Sequence, residues 1–428
     1  MTDPKNSRRD FLKTSALAAG VAGTASLGTI PSVFAAGDET IKVGLIGCGG
    51  RGTGAAENIC EAAGSTYNVK LHAMGDVFEN RLDGSFDRLK RNEKVGDKFD
   101  VSEDRKFVGF DAYKKVTDCC DLVLLATPPG FRPQHIEYAV EQGKHIFAEK
   151  PVAVDSAGVR KILASYEQAK SKGLGIVAGT QRRHQAPYID SLNRILDGAI
   201  GDVVSARVFW NQGNIWAHPR QPGEDDMHYQ VRNWYHFLWL CGDHIVEQHI
   251  HNMDVARWAL GDVNPVRCVA TGSQFVNTGP EFGESYDNFY VDYEFPDNVH
   301  VHSMCRQING CANNVSETIV GTKGQWTSQG YRFSGQARER VRGEGVPAMV
   351  QEHIDLLESI ANGEPLNELK RVAESTLMAI MGRTSAYTGK EVSWEDILTS
   401  ELDTFPESLE WGPRPDLILP KPGITELI

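Results

Sequence analysis

Five side chains that titrate or bind metals fall within nine positions past the middle of the chain: Asp243, His244, Glu247, His249 and His251. On a helix, Glu247 and His251 share a face one turn apart, where a carboxylate can orient an imidazole and raise its basicity. That pairing suits His251 as a general base removing a hydroxyl proton. His249 places a second titratable group in the same segment. The cluster is not His-Glu-x-x-His, because positions 246 and 250 are Val and Ile, and the eight cysteines contain no Cys-x-x-Cys pair. No metal is therefore expected.

A second constellation lies near the start. The apolar run Ile41–Ile46 is followed by Gly47-Cys48-Gly49-Gly50-Arg51-Gly52 and a helical stretch from Ala55 to Ala63. In this strand–loop–helix setting Gly47 permits the tight turn, Gly49 lets backbone approach a pyrophosphate, and Gly52 lets helix and strand pack closely. The loop, with Gly50 and Arg51, opens onto a helix N-terminus whose free N–H groups favour an anion. The next apolar run, Val69 to Met74, leads to Asp76, 24 residues after Gly52. A carboxylate there accepts from an adenosine ribose and favours NAD over NADP, although nearby Arg81 leaves room for a 2′-phosphate. A third strand, 121–126, ends in Thr127-Pro128, where a strand's carboxyl end faces the nicotinamide half; a helix carrying His135 follows.

With Glu149-Lys150-Pro151 the chain resembles the Gfo/Idh/MocA family of sugar and inositol oxidoreductases. The resemblance runs from the glycine loop through Ala126-Thr127-Pro128, His135 and Glu149-Lys150-Pro151 to a later Gly321-Thr-Lys-Gly324 turn. It implies that Lys150 lies beside the nicotinamide and the substrate hydroxyl, positioning substrate and assisting proton transfer. The family pattern Asp-x-Gly-x-His-x-x-Asp falls on Glu247, His249, His251 and Asp254, so Glu247 replaces an aspartate and His249 a glycine. That departure puts plain alcohol oxidation in doubt and resembles the related NAD-dependent glycoside hydrolases. Two further clusters, Gln181-Arg182-Arg183-His184 and Arg232-Asn233-Trp234-Tyr235-His236, offer the flat aromatic faces and planar polar groups that suit a sugar ring. Arg182, His184, Arg232, Trp234, Tyr235 and Asp254 are the substrate-binding candidates.

The elements that must position these residues read as α/β: an N-terminal Rossmann doubly wound parallel sheet, then an α+β domain with a large, mostly antiparallel sheet. Strand-like runs appear at 203–210, 266–275, 289–295 and 299–305, and helical runs at 349–360 and 369–387. The expected limits are 36–180 for the dinucleotide domain and 181–395 for the substrate and oligomerisation domain. The proline-rich tail 396–428 reads as an extended arm on a neighbour or on its own subunit.

Residues 1–35 carry Ser7-Arg8-Arg9-Asp10-Phe11-Leu12-Lys13 ahead of a small-residue apolar stretch, the pattern of a twin-arginine export signal. Its removal takes away Lys5, Arg8, Arg9 and Lys13 with Asp3 and Asp10, moving the formal charge from −13 to −15. So acidic a chain is a poor partner for nucleic acid, and no other stretch reaches the roughly 18 apolar residues of a membrane helix. Proteins on this route fold in a reducing cytosol, so free, buried thiols are expected. Free NAD is scarce outside the cytoplasm; the cofactor should be tightly bound, loaded before export, and regenerated in the site. Three functions meet these conditions: a sugar oxidoreductase that recycles its nicotinamide, an NAD-dependent glycoside hydrolase or lyase working by transient ring oxidation and elimination, or a non-catalytic NAD-containing sugar binder. The family commonly forms homodimers or homotetramers.

Overall fold

The computed structural model describes residues 40–343 and 345–426; the expected export signal lies outside them. Short runs of Ile, Val and Leu that can be buried on both faces form a parallel sheet. Its strands are β1 (Ile41–Ile46), β2 (Val69–Asp76), β3 (Lys106–Val108), β4 (Leu122–Leu125), β5 (His145–Ala148) and β6 (Ile176–Ala178), in the order β3-β2-β1-β4-β5-β6 and all parallel. The order reverses between β1 and β4, and a doubly wound sheet opens its ligand crevice at that point. The second strand extends past the apolar run Val69 to Met74. It runs on to Asp76 because Gly75 and Asp76 pair with Phe107 and Val108 of β3, a three-residue edge strand too short to announce itself.

The second sheet contains β7 (Val203–Gln212), β8 (Arg267–Ser273), β9 (Asn288–Phe295), β10 (Val299–Gln307), β11 (Asn314–Gly321), β12 (Gly324–Thr327), β13 (Arg332–Gly335) and β14 (Val392–Ser393). The order is β13-β12-β11-β7-β10-β9-β8-β14, antiparallel throughout except for the β7–β10 pair. Residues alternate along β9 and β10, so Phe289, Val291, Tyr293 and Phe295 face inward. Each buried side chain of this size contributes about 1.5–3 kcal/mol. The helix Leu369–Thr388 packs on this inner face, and its Gly382 makes the contact possible: a Cβ there would stand 2.1 Å from the Tyr293 hydroxyl. The Gly321-Thr-Lys-Gly324 turn joins β11 to β12, with Gly321 paired to Gly324.

The helix Trp394–Thr399, closed by a Ser393–Asp396 capping box, leads into the irregular tail. The tail lies on its own chain: Thr404 donates through N and Oγ1 to Asp155, and Tyr286 Oη donates to the Pro420 carbonyl. All eight cysteines are free and six are buried. Among the described residues no helix is long and apolar enough to cross a membrane.

Candidate active site

At the carboxyl ends of β1, β2 and β4 a cavity of about 610 Å³ is lined by Gly47, Gly49, Gly50, Arg51, Asp76, Arg81, Thr127, Pro128 and His135. The loop glycines play two roles. Gly47 has φ +94°, and a Cβ there would meet the Ala126–Thr127 backbone at 2.7 Å; at Gly52 it would stand 1.9 Å from the Gly47 carbonyl. At Gly50 it would enter open space, and at Gly49 it would meet only the end of Arg81, so the loop leaves backbone exposed where a pyrophosphate approaches. Asp76 closes the far side of the turn, accepting from Cys48 N at 2.6 Å and Phe78 N at 2.9 Å. Burial pushes its carboxyl up, opposed by those hydrogen bonds and Arg81. The arrangement fits a dinucleotide.

A second cavity of about 250 Å³ shares Arg51, Ala126, Thr127 and Trp234 with the first and adds Arg132, Glu149, Lys150, Gln181, Glu247, His251, Met349 and Glu352. Lys150 follows β5. Its Nζ donates to Glu247 Oε1 at 3.0 Å and to the Glu247 backbone carbonyl. Arg132 donates to the carbonyls of Pro151 and Thr127, tying the turn after β4 to the Lys150-Pro151 segment. Glu149 pairs with Arg51 at 2.7 Å. His251 stacks on Trp210 with ring centroids 5.8 Å apart; burial, then the charges of Lys150 and Arg182, hold its imidazole neutral well below the usual histidine range. His135 bonds Thr127 Oγ1 at 3.3 Å and is pulled down to about 3 by burial and Arg132.

Several expectations from spacing need correction. Glu247 and His251 do not share one helix: His244–Glu247 ends, the chain breaks at Gln248 and His249, and Ile250–Ala259 begins. Glu247 therefore turns to Lys150 rather than orienting His251. His249 is fully buried away from both cavities, its Nε2 2.7 Å from Ser303 Oγ. Asp243 accepts from Tyr387 and Tyr286, and among the described residues no three His, Cys, Asp or Glu side chains are grouped to hold a metal.

Of the substrate-binding candidates only Trp234 lines these two cavities. Arg232 pairs with Glu224, Arg182 with Glu317, Asp254 with Arg183 and His184 with Asp355, while the Tyr235 hydroxyl accepts from Gln307. These groups serve each other because burial leaves a charge needing a partner. Arg132, Met349 and Glu352 were missed; only Arg132, four residues after Pro128, stood near a motif. Trp216 and His218, which line the larger cavity, come from an irregular segment without periodicity.

Comparison with known proteins accords with this geometry. Residues 41–176 match the family model described as oxidoreductase family, NAD-binding Rossmann fold, and residues 192–327 match the GFO/IDH/MocA C-terminal domain. The chain belongs to the Gfo/Idh/MocA oxidoreductase family. Its first sheet and glycine loop are that family's NAD-binding Rossmann domain. Among Gfo/Idh/MocA relatives, it is 24% identical to the scyllo-inositol 2-dehydrogenase (NAD(+)) of Bacillus subtilis over 67% of this chain and 73% of that protein. It is 25% identical to the 2,7-anhydro-N-acetylneuraminate hydratase of Escherichia coli over 52% of this chain and 56% of that protein. The chain thus spans about half the length of some curated relatives it matches. The aldose-aldose oxidoreductase of Caulobacter crescentus, solved with glycerol, shares the fold with a TM-score of 0.62 at 20% identity, over 83% of this chain and 100% of that one.

Proposed function

We propose that the protein is an NAD-dependent oxidoreductase acting on a sugar or cyclic polyol, with the nicotinamide retained and recycled in the site. One observation carries the reading: the dinucleotide cavity and the Lys150–Glu247–His251 cavity share the wall formed by Arg51, Ala126, Thr127 and Trp234. A ring hydroxyl held between Lys150 and His251 is then beside the nicotinamide end of the crevice. When bound, the nicotinamide supplies the hydride acceptor. Lys150 orients the hydroxyl oxygen, neutral His251 takes the O–H proton, and Arg132 holds the Thr127 and Lys150-Pro151 segments together. Trp234 presents an aromatic face to the ring's C–H side.

Retention is supported by the tail. Trp411 sits on Phe110 at 4.7 Å and on Phe78 at 5.8 Å, and both phenylalanines line the dinucleotide cavity. Retention in turn fits an exported, periplasmic enzyme, the reading suggested by residues 7–13. The outer face of the large sheet, which carries the exposed Val269 and Tyr290, is the proposed surface for association into a homodimer or homotetramer, and light scattering tests it.

The deciding experiment purifies the protein, releases and quantifies bound NAD(H), and then offers sugars, inositols and aryl glycosides without added cofactor. Oxidation of one sugar coupled to reduction of a second supports the proposal. Product from a single glycoside would assign redox-neutral cleavage instead. No turnover with bound NAD present would leave a sugar-binding protein.

A further inference from the structure

The helix Ala348–Ala361 packs beside the glycine-loop helix Gly50–Ala63 and brings Glu352 into the wall of the smaller cavity. Every other charged group in that wall has a protein partner: Lys150 has Glu247, Arg51 has Glu149, and Arg132 has two backbone carbonyls. Glu352 is 2% exposed, and among the described residues its Oε2 has no hydrogen-bond partner. An unpartnered buried carboxyl is costly unless a ligand completes it. We propose that Glu352 is a substrate-contacting specificity residue, its carboxyl donating a hydrogen bond to an oxygen of the bound sugar or polyol.

The donor role follows from the surroundings. Burial and the neighbouring Glu149, with Glu368 beyond, push the Glu352 carboxyl well up from its ordinary value, toward the protonated form, against the opposing charges of His184 and Arg51. A protonated carboxyl offers one O–H donor, whereas a carboxylate only accepts. The proposal rests on the smaller cavity being the sugar site.

Its test uses the whole purified protein with its bound NAD. Difference infrared spectra of wild type against Glu352→Gln should contain the carbonyl band of a protonated carboxylic acid; its absence overturns the proposal. Myo-inositol and D-glucose are then added separately, following both that band and reduction of bound NAD. A band shift with reduction supports both readings. A shift without reduction supports Glu352 and sinks the oxidoreductase reading. Reduction without a shift overturns Glu352 alone, and neither change overturns both. Glu352→Leu, checked by its thermal midpoint, should bind the effective sugar at least about tenfold more weakly, since the donor is gone. Affinity within twofold of wild type overturns the proposal; should this variant fail to fold, the infrared arms still decide.

Discussion

Lys150 Nζ lies 3.0 Å from Oε1 of Glu247 and also donates to the Glu247 backbone carbonyl, bridging the end of β5 to a helix 97 residues further along. Both side chains are largely shielded, at 10% and 15% exposure. Removing either partner leaves a poorly solvated charge, a loss of up to about 3–5 kcal/mol when burial is complete and less here. Lys150→Ala is expected to lower kcat/KM at least about 100-fold, the scale of a lost proton-transfer group. NAD should stay bound, because the glycine loop and Asp76 are untouched. Co-purified NAD, measured after denaturation, checks this, and an NAD-free variant would show the assigned role to be wrong.

The pH dependence of turnover should report His251. Its conjugate acid is held below the ordinary value of about 6.5 by burial and by Lys150 and Arg182, so the basic form persists to lower pH than in a free histidine. Activity is thus present above that depressed pKa and lost as pH falls through it. The acid limb of kcat/KM is expected below pH 6.5 and to vanish in His251→Gln, along with most activity. A limb centred at or above 6.5 would assign the base to another group.

His249 separates the structural role from the chemical one. Its hydrogen bond to Ser303 pins the helix break to β10. Replacing it with Ala should lower stability by about 1–3 kcal/mol by leaving Ser303 unsatisfied. Steady-state kcat/KM in the folded variant should stay within threefold of wild type. A hundredfold loss at unchanged thermal stability would return His249 to the mechanism.

Trp411 tests retention. Trp411→Ala removes the ring that covers Phe78 and Phe110 without touching the glycine loop. The variant is expected to lose bound NAD during prolonged dialysis several times faster than wild type, while its turnover with saturating added NAD remains close to normal. Equal release rates would show that the tail does not hold the cofactor.

The glycine loop and the Rossmann sheet around it were legible in the sequence. Gly47 and Gly52 act within one strand–turn–helix unit and Asp76 ends the next strand, so short-range spacing carries their geometry, and the parallel sheet followed from the alternation of apolar runs with helices. The substrate half was not. Four-residue spacing joins Glu247 to His251 only if the helix is continuous, and it breaks where Gln248 accepts from Gln212 and Gln307 on β7 and β10. The partners of Arg182, His184 and Asp254, and the arrival of Glu352, likewise depend on strands and helices far away in the chain. Local backbone preference, written in the sequence, determined the fold and the nucleotide loop. The pairing of buried charges, which needs partners brought from a distance by packing, was decided only by the tertiary structure.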